Sequence, residues 1–289
     1  MMLDDSPRKH RTPPRKSHSP KHVAIVASCV LVVVLTICAG AITENHFNRS
    51  APLKPFMPPN SWILKFDSTF QGNQLESRVW DTCYPWATSG CTNTGNVTDP
   101  EQEWYLSSQN QVSDGILHLV ARREPTRGVN QQGKPKEFAC RSGMVTTYPS
   151  LRFKYGYIQI AAKIPFGKGL WPALWLAAAN QQWPPEVDIL EHWHSESTSG
   201  VYLHPVTGAR QGGAVKTPTL STGWHTFGLY WTKTRLVWYY DGSQLFATST
   251  GVPQQDMYFI ANLAVDDASP GGCSGSLLIK SVKVWQPPA

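Results

Sequence analysis

Three carboxylates stand close together, at Glu186, Asp188 and Glu191, in the run Pro184-Pro185-Glu186-Val187-Asp188-Ile189-Leu190-Glu191-His192-Trp193. The Val, Ile and Leu between the acids read as a β-strand. Side chains on a regular strand alternate between faces. Glu186 and Asp188 then share one face and Glu191 takes the other. One extra residue between Asp188 and Glu191, accommodated as a β-bulge, returns Glu191 to the first face. Three like charges in one row repel one another. The row makes chemical sense if one acid keeps its proton while another is ionised. Cleavage of a glycosidic bond needs such a set: a carboxylate, a carboxylic acid, and something that holds their pKa values apart.

Taken alone, an acid triplet of this kind suits an exposed structural strand better. Its surroundings reverse that. Upstream runs Gly167-Lys168-Gly169-Leu170-Trp171-Pro172-Ala173-Leu174-Trp175-Leu176, and Trp183 follows, so three tryptophans fall within thirteen residues. Aromatic faces can stack on the apolar faces of sugar rings. Trp171 and Trp175 are therefore candidate platforms or cleft-floor residues, with core packing the competing role. His192 is a further candidate because it follows Glu191 directly, although alternation turns it away from that acid.

The segments "GLWPALWL" and "EVDILE" together resemble the signature of glycoside hydrolase family 16, in the laminarinase-like endo-β-1,3(4)-glucanases that carry the bulged motif. The resemblance runs over about residues 62–286. It implies that Glu186 is the nucleophile, that Glu191 is the general acid/base, and that Asp188 assists both. Reaction with retained configuration asks for the two carboxyl groups ~5–5.5 Å apart. By the same resemblance His204 lies near the cleft and Trp104 matches a subsite position. The implied substrate is a β-1,3-glucan or a mixed β-1,3-1,4-glucan. Three alternatives share the scaffold: a transglycosylase, a hydrolase of a bacterial exopolysaccharide, and a glucan-binding protein without activity. Intact acids favour an enzyme over the last of these. Neither a cofactor nor a metal is expected, and the domain is expected to act as a monomer.

The sequence departs from the family pattern in two places. Two prolines stand at the start of the motif, where Gly, Asp or Asn is usual. Gln159 stands where Glu is common, and Ala161 and Ala162 stand near a usual Arg, so an ion pair is missing.

The elements that must carry these residues read as strands. Charged residues are 16% of the 289, and Gly 22 with Pro 23 favour turns over long amphipathic helices. Strands are expected at Trp62–Asp67, Tyr155–Pro165, Val201–His204, Tyr258–Ala264 and Leu277–Trp285. Asp114-Gly115 sets a hairpin within Asn110–Val120, and Trp224–Trp231 pairs with Arg235–Gly242. Residues 124–142 read as a long polar loop. Short strands with frequent turns predict an all-β fold, a concanavalin-like antiparallel β-sandwich or jelly roll.

The N-terminal part is of another kind. Residues 1–22 are basic and rich in Pro, Ser and His, and read as a disordered cytoplasmic tail. Residues 23–42 carry no charge and are long enough to cross a bilayer. Lys and Arg before this run orient it as a signal anchor with the domain outside the cytoplasm. A cleaved signal peptide ending at Ala39-Gly40-Ala41 is the competing expectation, and it would yield a secreted protein. Residues 43–60 read as a linker and 61–289 as the catalytic domain. Residues 51–289 hold nineteen Lys/Arg against seventeen Asp/Glu, so the net charge of +6 belongs mostly to the tail. That balance excludes a nucleic-acid partner and suits a neutral polysaccharide. Four cysteines lie beyond the apolar run. Proximity suggests Cys83 with Cys91, leaving Cys140 with Cys273. Asn48 and Asn96 fit the N-glycosylation pattern.

Overall fold

Strand after strand places apolar side chains at every second position, so each sheet acquires one face that must be buried. The computed structural model describes residues 56–87, 101–129, 134–193 and 195–288. Residues 23–42, Cys91, Asn48 and Asn96 lie outside the described residues. Among the described residues no helix is long and apolar enough to cross a membrane.

In chain order the strands are β1 (Ile63–Ser68), β2 (Glu103–Tyr105), β3 (Asn110–Ser113), β4 (Ile116–Ala121), β5 (Thr126–Val129) and β6 (Pro135–Phe138). They continue with β7 (Cys140–Ser142), β8 (Met144–Thr146), β9 (Gly156–Lys163), β10 (Leu170–Ala178), β11 (Glu186–Glu191) and β12 (Thr198–His204). The last are β13 (Gln211–Lys216), β14 (His225–Trp231), β15 (Leu236–Tyr240), β16 (Ser243–Thr248), β17 (Met257–Val265) and β18 (Gly275–Gln286). An eight-stranded sheet follows the order β16-β15-β14-β9-β18-β4-β3, with β1 also paired to β18. A six-stranded sheet follows β13-β12-β11-β10-β17-β8. All pairings within these two sheets are antiparallel. The expected all-β sandwich is the observed architecture.

The core lies between the sheets. Leu174, Leu176, Val187, Leu203, Phe259 and Leu263 of the smaller sheet meet Ile158, Ile160, Leu229, Trp238 and Val282 of the larger one. The Asp-Gly hairpin forms as expected: Asp114 and Gly115 both have positive φ, at 54° and 72°, and join β3 to β4. That is the backbone of a tight two-residue turn matched to strand twist.

The polar stretch 124–142 differs from the expected loop. It carries the hairpin β5–β6 and the strand β7, which pairs in parallel with β2. The hairpin's residues are mostly polar and partly exposed, so hydrophobic alternation does not mark it. Cys140 and Cys273 form the expected disulfide, closing 133 residues of sequence. Cys83 is also disulfide-bonded. Phe56, in the stretch read as linker, is part of the packed domain: its ring stacks on Tyr239 at 4.4 Å.

Candidate active site

The register of β11 decides where the acids point. Asp188 pairs with Tyr202 and Glu191 pairs with Gly200, so three steps on β11 oppose two on β12. On the other edge Leu174 pairs with Leu190 and Trp175 with Asp188. One residue more on β11 than on either neighbour is a β-bulge, and it turns both Ile189 and Leu190 into the core. Glu186, Asp188 and Glu191 consequently line one cleft on the outer face of the six-stranded sheet. Trp238, from the opposite sheet, donates its Nε1–H to the Asp188 carbonyl at 2.8 Å, which supplies a buried donor where the ladder is irregular.

The neighbouring strands furnish the floor by simple alternation. Trp171, Ala173 and Trp175 of β10 line the cleft, as do Asn262 and Ala264 of β17. Ala173 and Ala177 flank Trp175 in the same row, and all three pack in a buried cluster with Tyr84, Tyr105 and Tyr258, so Trp175 shares its cleft-floor position with a core-packing role. On β12 Gly200 admits the Tyr202 ring: a Cβ there would lie 2.3 Å from it. The cleft has a volume of about 300 Å³ and is also lined by Glu101, Trp193, His204 and Arg210.

Each acid has its own surroundings. Trp171 Nε1 donates to Glu191 Oε1 at 3.1 Å. An indole N–H can only donate, so Glu191 Oε1 is the acceptor in this pair. Trp183 Nε1 donates to Glu186 Oε2 at 3.2 Å, and His204 Nε2 lies 3.7 Å from Glu186 Oε1. The indole donates a hydrogen bond to the carboxyl group, and the imidazole lies beyond hydrogen-bond distance of it. Asp188 lies between them and is buried, with His204 Nε2 3.5 Å from its Oδ2. Burial pushes the Asp188 carboxyl above its ordinary range, against the opposing pull of His204 and Arg210. Burial also raises the Tyr202 phenol, with Glu191 adding to the effect. Arg210 stacks over the Tyr202 ring at 4.5 Å and is the exposed cation of the cleft.

Glu186, Asp188 and His204 each present one ligand atom within 4.8 Å of the others. Two carboxylates and an imidazole could hold a divalent cation.

The structure brings together six of the eight residues expected from sequence: Glu186, Asp188, Glu191, Trp171, Trp175 and His204. The other two lie elsewhere. His192 is buried, its Nδ1 3.1 Å from the Thr198 carbonyl, because strand alternation turns it off the cleft face. Trp104 is buried against Phe138 and beneath Gly128, where a Cβ would come within 2.5 Å of its ring. The β5–β6 hairpin, hidden in a stretch read as loop, covers it. Sequence reasoning did not single out Glu101, Trp193, Tyr202, Arg210 or Asn262. For Asn262 a signal existed: it is the one polar residue in the nine of β17.

The two departures from the family pattern also find their places. Gln159 faces away from the cleft, on the far side of the larger sheet, where its Nε2 donates to Tyr157 Oη at 3.4 Å. The two prolines lead from Trp183 directly into Glu186.

A sequence profile described as "Glycosyl hydrolases family 16" matches residues 93–265. The chain belongs to this family. Among relatives, endo-1,3-1,4-β-glycanase EglC of Rhizobium meliloti (strain 1021) is 33% identical over 222 residues, covering 72% of this chain and 45% of that protein. Endo-1,3-1,4-β-glycanase ExsH of the same organism is 33% identical over 224 residues, covering 72% of this chain and 46% of that protein. The chain thus spans just under half the length of these two relatives. Among solved structures, the catalytic domain of an endo-1,3-β-glucanase (laminarinase) from Thermotoga petrophila RKU-1 superposes with a TM-score of 0.65 at 26% identity. That match covers 79% of this chain and 99% of the other.

Proposed function

We propose that this protein is an endo-acting, retaining glycosidase of β-glucans, with β-1,3 or mixed β-1,3-1,4 linkages. The observation that carries the reading is the bulge, which places three acids in one row over an indole floor. Glu186, which accepts the Trp183 indole N–H, is the nucleophile that forms a glycosyl ester. Glu191 protonates the departing oxygen and then takes a proton from water. Asp188 sits between them and couples their charges. The similarity to two glycanases and a laminarinase supports the substrate class.

One cation in the cleft supports a second reading of the substrate. Arg210 could pair with an acidic substituent, as on a charged exopolysaccharide. A panel of neutral and acidic polysaccharides with product sizing separates the two, and also shows whether sugar or water accepts the glycosyl group. The decisive test of mechanism is Glu186→Ala. Turnover should be nearly abolished while polysaccharide binding persists. Azide should restore activity and give a glycosyl azide of inverted configuration. Wild-type protein that binds glucans but cuts none of the panel, with Glu186→Ala indistinguishable from it, overturns the enzyme reading in favour of a binding protein.

We propose that the domain acts as a monomer, which light scattering tests. We also place the domain outside the cytoplasm, held at the membrane by residues 23–42. The uncharged run and its basic flank support that reading. Protease added to intact cells should remove the domain and spare an N-terminal tag. Mature protein starting at Ile42 replaces the anchor with a cleaved signal.

A further inference from the structure

Asn262 is buried at 3% exposure in a strand that is otherwise apolar. A buried amide persists where its hydrogen bonds are made. Asn262 Oδ1 accepts the Trp175 indole N–H at 2.8 Å, and Asn262 Nδ2 donates to Tyr105 Oη at 2.9 Å. Because the indole only donates, the amide oxygen must face Trp175 and the amide nitrogen Tyr105. Tyr105 in turn hydrogen-bonds Glu103, whose Oε2 accepts the Val265 N–H at 2.8 Å. The chain of bonds leaves β17 at Val265, passes through β2, returns to β17 at Asn262 and ends on β10 at Trp175. Burial first, and Glu101 second, push the Glu103 carboxyl well above its ordinary range.

The end of this chain lies at the chemical centre. Trp175 pairs across the strand with Asp188, midway along the acid row. On the glycosidase reading, a sugar ring held between Glu186 and Glu191 would rest over the edge of that indole that lines the cleft. The tilt of the indole therefore decides how the ring meets both carboxyl groups. A bare Trp on a strand can swing about its side-chain torsions; a Trp with its N–H tied to an oriented amide cannot.

We propose that Asn262 is a positioning residue that holds the Trp175 indole at one tilt beneath the sugar at the scissile bond, and that Tyr105 and Glu103 hold Asn262. The kinetic consequence rests on the glycosidase reading above. Asn262→Leu, Trp175→Phe, their combination and Tyr105→Phe should be compared in the full chain with laminarihexaose as substrate. Asn262→Leu should lower kcat/KM by about 10–100-fold, mostly in kcat, as expected for misplacement near the reacting atoms. In the Trp175→Phe background the same change should cost less than about twofold, since the bond it removes is already gone. Tyr105→Phe should cost less than Asn262→Leu, because the Asn262–Trp175 bond survives. Asn262→Ser, too short to reach the indole, replaces Asn262→Leu if that variant does not fold.

A readout independent of turnover is the Trp175 indole N–H resonance, assigned by its loss in Trp175→Phe. It should exchange slowly with solvent in the wild type and fast in Asn262→Leu. Equal losses from Asn262→Leu in both backgrounds, or an unchanged exchange rate, overturn the proposal. Should the wild type cut no β-glucan, the glycosidase reading fails, and the exchange measurement still decides the positioning role.

Discussion

The two sheets carry aromatic residues on their outer faces in similar number and to opposite ends. On the smaller sheet, Trp171, Trp175, Trp193 and Tyr202 surround an open cleft. On the larger sheet, Tyr157, Tyr230 and Tyr239 are covered by Phe56, whose ring lies 4.4–5.4 Å from theirs. Trp62 stacks on Tyr230 at 5.6 Å and extends the cover. Both sheets use a glycine to let a tyrosine lie flat: Gly200 beside Tyr202, and Gly228 beside Tyr157. Aromatic content therefore does not make a sugar site. What separates the faces is the company of the rings. Acids stand in the row next to Trp175 and line a cleft, so that part of the face is charged, although the indole itself is packed against Tyr84 and Tyr105. On the larger sheet the chain's own Phe56 fills the equivalent space, and Tyr157 is left 1% exposed with its phenol pushed up to about 12 by burial.

The sharpest way to break this comparison is to remove an acid from one face and an aromatic from the other. Glu191→Ala should lower polysaccharide turnover by about 10²–10⁴-fold, the range for a lost general acid/base. A substrate with a good leaving group should still form the covalent intermediate, and azide should then give a product of retained configuration. Thermal stability should change little, because Glu191 is half-buried at the cleft rim. An unaltered rate on polysaccharide would show that the open face is not a catalytic one.

Phe56→Ala should do the reverse. It removes ring contacts with three tyrosines, each worth about 0.5–1.5 kcal/mol beyond burial. Chemical denaturation should register a loss of about 2 kcal/mol, with kcat/KM unchanged. Lost activity at full occupancy of the folded state would mean that the two faces communicate.

The smallest effect concerns pH. The Asp188 carboxyl titrates higher in the folded protein than its ordinary value of 3.8. Between those two values the folded state binds more protons than the unfolded one, so stability falls as pH rises through that window. Asp188→Asn removes the ionisation. The melting temperature of the variant should gain on the wild type as pH rises from about 3.8 toward neutrality, and the gain should vanish below it. A gain that is the same at all pH values would assign the effect to packing rather than to charge.

The alternation of apolar residues made most strands legible, because each strand buries one face and repeats every two residues. The acid row was legible for a subtler reason: E-x-D-x-x-E places its acids on one face only if a bulge is present, and the register shows that bulge. The hairpin β5–β6 was not legible. Its residues Thr126, Arg127, Lys136 and Glu137 are polar and show no buried period. Trp104 was misplaced for the same reason, since the hairpin that covers it was not seen.

What the sequence alone determined is therefore what depends on neighbours along the chain: the sandwich class, the Asp-Gly turn, the acid strand and the indoles on the adjoining strand. Local spacing dictates which side of a strand a residue takes. The tertiary structure decided which residues from distant segments meet at the cleft. Tyr105 lies 157 positions from Asn262, and Trp238 lies 50 from Asp188, yet each pair joins in a hydrogen-bonded network beneath or behind the acids. Sheet order brings those segments together, and sheet order follows from how two buried faces pack, which no short stretch of sequence encodes.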